Sequence, residues 1–442
     1  MTHPAIRDLF QSSAKHPAFQ ALLQRLTRGE TGPFSLSGLV PAAKALYLTL
    51  LYQATDRPLL IVVDGNRQAE ALLESTETFF DLLIDDRDLP RPQLIPALDV
   101  LPHQKLSPHS EISERRAAAL WGLSTHKMPI TIAPVASALL RTNSPEFYRG
   151  LALTLRVGEE IPLDDLLQHL ESIGYEKREP VEMVGEYSLR GGILDVFPAE
   201  SQKPVRVEFF GDEIESIRRF DVGTQRSVLK VNSALLLPLL EHPRQRTLLR
   251  ELAEAVGETR DDIASPGDVF GGWEYLVALK RPLTQNLLTL NPGAIIVLDE
   301  PSDIAAAADR LWMRLTEPAA VPPEMNFLSW DEFQNNWRGR MIVRLSELDL
   351  ISGGQSTADD YHIPTRSSLS FKNNVAAVSE ARNLVEQGNR VAFFAASTGE
   401  LERLADLLGE YSIPYQLGVE SLEGSKGLAE RAYHAGAVAS SY

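Results

Sequence analysis

Two stretches of the sequence contain residue types of a nucleotide site. Gly38 and Lys44 stand at the spacing of a phosphate-binding loop, G-x-x-x-x-G-K-[ST], whose backbone N–H groups cradle phosphates and whose hydroxyl binds Mg²⁺. Ala43 replaces the second glycine, Ala45 replaces the hydroxyl, and Pro41 removes one N–H. We therefore predict an inactive loop. On the motif alone, an ordinary strand-to-helix connection is the favoured interpretation.

An acidic pair lies far along the chain, at the end of a second apolar run. Asp299 and Glu300 follow residues 294–298, as the Walker B residues do in an ATPase, where the aspartate holds Mg²⁺ and the glutamate polarises water. Because the phosphate loop lacks working parts, we predict that this pair is a relic that caps the helix at 302–315. The sequence has no cysteine and nine scattered histidines, so we predict no metal site and no catalytic residue.

Residues 185–221 have the composition of a protein-binding surface. In the strand VRVEFF, residues 205–210, apolar side chains alternate with Arg206, Glu208 and Phe210. Arginine and aromatic residues are typical of binding hot spots. On periodicity alone, however, local ion pairs with nearby carboxylates explain the arginines better.

The elements around this strand predict a small antiparallel sheet. Gly211-Asp212 supplies a turn to a return strand at 213–220, and two shorter strands at 187–190 and 193–197 precede them. Basic residues concentrate in the same region, at Lys177, Arg178, Arg190, Arg206, Arg218 and Arg219. This patch favours an acidic protein partner or nucleic acid.

Outside this region the sequence is typical of a parallel α/β domain. Continuous apolar runs at 59–64, 94–101, 130–133 and 294–298 alternate with helical patterns, as in buried parallel strands with crossover helices. A length of 442 residues predicts about three domains of roughly 150 residues each.

The runs GEYSLRGGILDVFP, from Gly185, and VRVEFFGDEIESIRRFD, ending at Asp221, closely resemble the module shared by the nucleotide excision repair protein UvrB and the transcription-repair coupling factor family (Mfd). The resemblance implies that the small domain docks onto UvrA. It also implies that Arg190, Arg206 and Phe210, with Glu208 between them, contact UvrA. Ser188 stands where UvrB usually has another arginine.

Two departures from UvrB point to the coupling factors. The resemblance implies that UvrB keeps an intact phosphate loop and a long aromatic DNA-threading hairpin, whereas the coupling factors have lost the loop through a sequence much like residues 42–45 here. Residues 102–116 leave no room for the hairpin. Beside this resemblance, a decayed phosphate loop becomes the favoured interpretation of Gly38 to Lys44.

The implied fold is a degenerate RecA-like parallel-sheet domain, interrupted by a small mainly antiparallel β domain and followed by a small α/β domain. The expected division is 1–145 (UvrB-like domain 1A), 146–227 (UvrA-binding domain 2), 228–350 (domain 1B), 351–368 (linker) and 369–442 (domain 3, with a strand at 390–396 between helices at 375–387 and 400–408).

The implied function is recruitment of UvrA to start nucleotide excision repair at lesions that stall RNA polymerase. ATP and Mg²⁺, RNA polymerase and DNA are expected to bind other parts of the full-length family member, an ATP-dependent translocase, and this chain is expected to use no cofactor and not to be an enzyme. A net charge of −17 predicts weak duplex-DNA binding. The absence of a signal sequence and of long apolar runs predicts a cytoplasmic protein without a membrane span.

Two alternatives remain open at this point. One is a UvrB-like or helicase-like ATPase active in its own right, and the other is an autoinhibitory structural module. If the recruitment reading holds, replacing Arg190 or Arg206 by alanine is expected to weaken UvrA binding with the fold nearly unchanged, and Lys44→Ala is expected to change neither.

Overall fold

The secondary structure follows the alternation of apolar runs and helical patterns. The structure, a computed structural model, describes residues 4–86, 88–125, 128–257, 269–348, 359–367, 374–393 and 398–415. In this part of the chain the strands are β1 Gly32–Ser37, β2 Leu59–Val63, β3 Gln93–Leu94, β4 Ile130–Pro134, β5 Leu153–Arg156, β6 Glu176–Lys177, β7 Glu186–Arg190, β8 Ile193–Val196, β9 Val205–Phe210, β10 Glu213–Phe220, β11 Ser227–Val231, β12 Ser233–Leu236, β13 Ile295–Asp299, β14 Met341–Ser346 and β15 Asp360–His362.

The helices described there are α1 Pro4–Gln11, α2 Pro17–Thr27, α3 Pro41–Thr55, α4 Asn66–Leu83, α5 Ser110–Ser124, α6 Val135–Ala138, α7 Pro145–Leu151, α8 Leu163–Ser172, α9 Arg246–Ala255, α10 Trp273–Lys280, α11 Leu287–Leu290, α12 Pro301–Leu315, α13 Pro323–Asn326, α14 Trp330–Asn336, α15 Asn374–Glu386 and α16 Thr398–Glu410. None of them is both long and apolar enough to cross a membrane.

A seven-stranded parallel sheet forms the larger domain, in the order β15-β1-β14-β13-β2-β4-β3. Every residue of β2, β4 and β13 is buried, because helices cover both faces of the sheet. Along β2, Leu59, Ile61 and Val63 join the core under α2, α3 and α4, whereas Leu60 and Val62 join the core that includes α5 and α12. The predicted α/β class is confirmed.

Two separate stretches of the chain build this sheet. Strand β13 pairs with β2, where Ile296 lies opposite Leu60, and β14 pairs with β1, where Val343 lies opposite Phe34. The small sheet lies between these stretches in the sequence. The prediction of a parallel-sheet domain interrupted by a β domain is therefore confirmed.

The small sheet has six strands in the order β11-β10-β9-β8-β7-β6. All neighbours are antiparallel except β6 and β7. A Cβ on Gly192, in the β7–β8 turn, would lie 2.7 Å from the carbonyl oxygen of Phe209, so only glycine fits this approach to β9. A separate two-stranded ladder of β5 and β12 joins the beginning and the end of the domain.

The structure moves both predicted boundaries of the small domain. The boundary between residues 227 and 228 lies inside β11, which pairs with β10, and β12 then pairs back with β5. Residues 227–236 therefore belong to the small domain rather than to the segment 228–350. At the other end, Arg149 on α7 donates to the carbonyl of Ser124 on α5 at 2.7 Å, so α7 packs with the larger domain.

The C-terminal part differs from its prediction in two places. Within the segment 351–368, predicted as a linker, Asp360–His362 instead forms β15 at the edge of the large sheet because its backbone pairs with β1. Of the strand predicted at 390–396, residues 390–393 are not in a strand, and 394–396 lie outside the described residues. Helices α15 and α16 match the predicted helices, while residues 416–442 of predicted domain 3 lie outside the described part.

The connection from β3 to α5 is short and irregular. Residues 95–109 contain one 3₁₀ turn, Pro102–Gln104, and no strand. A Cβ on Gly271 would lie 2.5 Å from the carbonyl oxygen of Lys105, so this loop is packed closely against the segment that leads into α10. This path is consistent with the expectation that residues 102–116 leave no room for a hairpin.

Candidate partner-binding face and phosphate-loop motif

The lysine of the phosphate-loop motif is buried in an ion-pair cluster. Lys44 lies in the first turns of α3, which Pro41 begins. Its Nζ donates to Asp299 Oδ1 at 2.5 Å and to Glu300 Oε1 at 2.6 Å. Lys44 and Asp299 are each 2% exposed. The structure thus brings together the motif lysine and the acidic pair from the end of β13.

The charge of Lys44 is balanced inside the protein. Burial disfavours the charged amine, but Asp299 and Glu300 outweigh it and raise the pKa of Lys44 above its ordinary value. Burial also raises the pKa of Asp299, against the opposing attraction of Lys44. A lysine that binds phosphate needs an ammonium group that is not already paired with carboxylates.

The residues at the other motif positions have structural roles. Gly38 directly follows β1 and has a φ of +84°. Ala45, at the position of the metal-binding hydroxyl, is fully buried in the core, and Ala43 packs against the same core. Among the described residues there is no group of three histidine, cysteine, aspartate or glutamate side chains that could hold a metal ion.

The predicted capping role of the acidic pair is wrong. Glu300 precedes α12 as its N-cap residue, but its side chain makes no capping hydrogen bond. Its carboxylate accepts from Lys44 and, at 2.7 Å, from the backbone N–H of Glu347. The buried ammonium needs two anionic partners more than the helix end needs a cap, because an unpaired buried charge costs more than a lost cap.

The four predicted contact residues lie on one face of the small sheet. In β9, Val205, Val207 and Phe209 are buried, and the alternate residues face outward. The pairing of β7 to β10 sets Arg190 opposite Ile193, and Ile193 opposite Glu208. Arg206 lies in the neighbouring row. We call this surface, which comprises Arg190, Ile193, Asp195, Arg206, Glu208, Phe210, Ser216 and Arg218, the polar face.

A buried aspartate fixes the centre of the polar face. Asp195 on β8 is 2% exposed, and Arg206 meets it with two bonds, Nε to Oδ1 and Nη2 to Oδ2, both 2.7 Å. Arg190 Nη2 lies 3.4 Å from the same carboxylate, and Arg190 Nη1 pairs with Glu179 at 3.5 Å. The arginines therefore do pair locally, and Asp195 is their shared partner.

The two arginines differ in what they offer to a partner. The side chain of Arg206 is 18% exposed and lies over the ring of Phe220, 4.9 Å from its centroid, whereas that of Arg190 is 53% exposed. Hydrogen bonds from Arg206 to Asp195 also raise the pKa of Arg206. Arg206 is held in place by the domain, and Arg190 extends into solvent.

The remaining residues of the polar face place a bare aromatic ring beside fixed charges. Glu208 accepts from Ser216 Oγ at 2.6 Å and pairs with Arg218 Nη2 at 3.2 Å. Phe210, at the end of β9, is 79% exposed. A ring this exposed is the type of residue that anchors protein interfaces.

Sequence reasoning missed Asp195 and Ser216 as members of the polar face. The signal for Asp195 was present, since it lies between the buried Leu194 and Val196 in a strand where alternate residues share a face. Ser216 carried no such signal, because the β10 register shifts between Ile214 and Ser216. A bulge of this kind changes which side chains face outward.

Comparison with known proteins identifies the small domain and the chain around it. Residues 153–242 match the family model described as the UvrB interaction domain. The chain is 31% identical over 414 residues to the transcription-repair-coupling factor of Escherichia coli, which covers 86% of this chain and 34% of that protein. Over most of its length, the chain is similar to transcription-repair-coupling factors.

Other members of the coupling-factor family show the same extent of similarity. The protein from Haemophilus influenzae is 28% identical over 415 residues, covering 88% of this chain and 35% of that protein, and the one from Myxococcus xanthus is 28% identical over 441 residues, covering 89% and 36%. The chain spans about a third of the length of these relatives. The UvrB interaction match begins at β5 and ends after β12, in agreement with the domain limits seen in the structure.

We expect Lys44→Ala to destabilise the larger domain, in contrast to the expectation from sequence. The variant leaves Asp299 without its cation in a buried site, and breaking a buried pair of this kind costs about 3 kcal/mol. Urea unfolding of the variant measures the loss. Lys203→Ala, at an exposed lysine, is the control and should unfold like the wild type. Equal midpoints for Lys44→Ala and wild type would contradict the buried pair.

We also expect Arg206→Ala and Arg190→Ala to separate in stability. Arg206→Ala removes both short bonds to Asp195 and should lower the unfolding free energy by about 2 kcal/mol. Arg190→Ala removes exposed contacts and should change it by less than about 0.5 kcal/mol. Thermal melts of the intact chain report the difference, and similar melting of the two variants would show that Asp195 is not the centre of the polar face.

Proposed function

We propose that the small domain binds UvrA through the polar face. The observation that carries the proposal is the exposed ring of Phe210 and the half-exposed Arg190 on one face of the small sheet, within the segment that matches the UvrB interaction domain. The family resemblance supplies the identity of the partner. Arg190, Arg206, Glu208 and Phe210 are the proposed contact residues.

The geometry supports different roles for these four residues. Phe210 offers apolar area to a pocket of the partner, and Arg190 can form charge-assisted bonds with its carboxylates. Only a small part of Arg206 is exposed, because its Nε and Nη2 atoms are both bound to Asp195. Glu208, tied to Ser216 and Arg218, fixes the spacing between the ring and the cations. A face held rigid before binding loses less conformational entropy on association.

In the whole protein, the proposed role of this module is recruitment. We propose that the coupling factor acts at lesions that stall RNA polymerase, brings UvrA to them and so starts nucleotide excision repair in the cytoplasm. ATP and Mg²⁺, RNA polymerase and DNA are then bound by other parts of the family member, an ATP-dependent translocase. The similarity to proteins named transcription-repair-coupling factors supports this role. An autoinhibitory use of the same face remains compatible with it, since masking and recruitment can be two states of one surface.

We further propose that residues 38–45 are a former phosphate loop that binds no nucleotide, and that this chain is not an ATPase. Lys44 is neutralised by Asp299 and Glu300, and Ala45 cannot ligate Mg²⁺. Pro41 lacks the N–H that a phosphate cradle needs at its position.

Binding of purified UvrA to the intact chain tests the recruiting face. Phe210→Ala and Arg190→Ala should each weaken binding by about 2 kcal/mol, roughly thirtyfold in Kd, because each truncation removes an interface anchor. Met313→Ala, which removes an equally exposed apolar side chain on α12, is the matched control and should bind normally. Normal UvrA binding by both face variants would refute the assignment.

Calorimetry with Mg²⁺ and ATP tests the former phosphate loop. We expect no saturable heat of binding for the wild type, since the Lys44 ammonium is already paired with Asp299 and Glu300. Lys44→Ala, if folded, should give the same result. Saturable binding that disappears in Lys44→Ala would favour the alternative of an active nucleotide site.

A further inference from the structure

The former phosphate loop touches a second segment of the chain that no motif predicted. Residues 359–365, which we call the strap, run along the outer edge of β1 and end over the loop. Their contacts begin where Arg25 on α2 forms an ion pair with Asp359. The same guanidinium pairs with Glu30 at 2.6 Å and lies 4.5 Å from the ring centroid of Phe34 on β1.

The middle of the strap is bound by backbone pairing and burial. β15 lies parallel to β1, with Leu36 opposite Tyr361 and Ser37 opposite His362. The N–H of Ile363 donates to the Ser37 carbonyl at 3.0 Å, and Ile363 is 3% exposed in the core shared with α2, α3 and α4. The strap therefore contributes to the core as well as to the sheet edge.

The end of the strap bonds to the loop itself. Thr365 donates to the Gly38 carbonyl twice, from its N–H at 2.9 Å and from its hydroxyl at 2.7 Å. The same hydroxyl accepts the N–H of Val40 at 2.8 Å. In a working phosphate loop, backbone N–H groups at such positions bind phosphate oxygens. Here a threonine oxygen of the chain meets one of them.

Two further positions of the loop have no N–H free for an outside ligand. The N–H of Leu39 donates to the Ser346 carbonyl at 3.3 Å, and Pro41 has no N–H. Gly38 is required for the fit, since a Cβ there would lie 2.5 Å from the Ile363 carbonyl oxygen and 2.6 Å from the His362 ring. The glycine of the motif thus allows the strap to pack closely against the loop.

We propose that the former phosphate loop is an internal docking site whose ligand is the strap. Docking fixes the point at which the chain leaves the large sheet toward α15. The loop has the glycine and the Val40 N–H of a phosphate-loop motif. The glycine leaves room for the Ile363 carbonyl, and the Val40 N–H donates to the Thr365 hydroxyl. The inference is independent of whether the polar face binds UvrA.

Hydrogen exchange of the intact protein tests this docking site. In the wild type the amide of Val40 should be protected, although its acceptor is a side-chain oxygen. Thr365→Val removes that acceptor, so the amide of Val40 should exchange about tenfold faster. The amide of residue 365 keeps its own bond to the Gly38 carbonyl in this variant. Trypsin should also cleave faster after the exposed Arg366.

Two controls isolate the effect of the hydroxyl. Thr365→Ser keeps the oxygen and should exchange like the wild type. Thr78→Val, at an exposed threonine of α4, should leave the Val40 amide unchanged. Amides of β2 report global stability and should not change in any of the three variants.

The outcomes are decisive in either direction. An unprotected Val40 amide in the wild type overturns the proposal, and so does wild-type exchange in Thr365→Val. If Thr365→Val does not fold, the wild-type protection and the Thr365→Ser result decide. If addition of Mg²⁺ and ATP increases the protection of the Val40 amide, the proposal is also overturned, because the loop would then prefer phosphate to the strap. UvrA binding should be the same in Thr365→Val and wild type.

Discussion

A buried ammonium must have carboxylates within hydrogen-bonding distance, and Lys44 finds them only across the interruption of its own domain. Lys44 comes from the stretch before the small domain, whereas Asp299 and Glu300 come from the stretch after it. The pair therefore requires β13 to enter the sheet beside β2. Glu300 extends the same cluster to the end of β14 through the N–H of Glu347. The small domain can be inserted here without disturbing the sheet because its first and last strands, β5 and β12, pair with each other.

The polar face obeys the same requirement for charge neutralisation. Asp195 is buried in the middle of a β sheet, so it must hold a cation, and Arg206 is the neighbour across the strands that can reach it with two bonds. Because Arg206 is bound to Asp195, it organises the surface, whereas Arg190 is available to a partner. A contact residue assigned by family resemblance can thus be structural in the free protein, and its loss would affect binding and folding together.

Residues 38–44 have part of the geometry of a phosphate-loop motif without its full set of residues. Gly38 has a left-handed backbone conformation, with a φ of +84°, and Lys44 lies in the following helix. The groups that an intact loop would present to an anion meet partners from the chain, carboxylates for the lysine and a threonine hydroxyl for the Val40 N–H. Stability of the larger domain is linked in this way to residues that a motif search would classify as vestigial.

The sequence by itself determined the elements and faces that depend on local patterns. The alternation of apolar residues gave the buried and outward sides of β9, the turn at Gly211 gave the β9–β10 hairpin, and the continuous runs gave parallel strands such as β2. Only the tertiary structure decided the partners of the charges and the limits of the domains. Glu300 was expected to cap a helix and instead binds Lys44, 256 positions away, and β15 joins β1 from a segment with linker composition. Periodicity reports which side of an element is buried, but the partner of a buried charge depends on which distant segments fold against it.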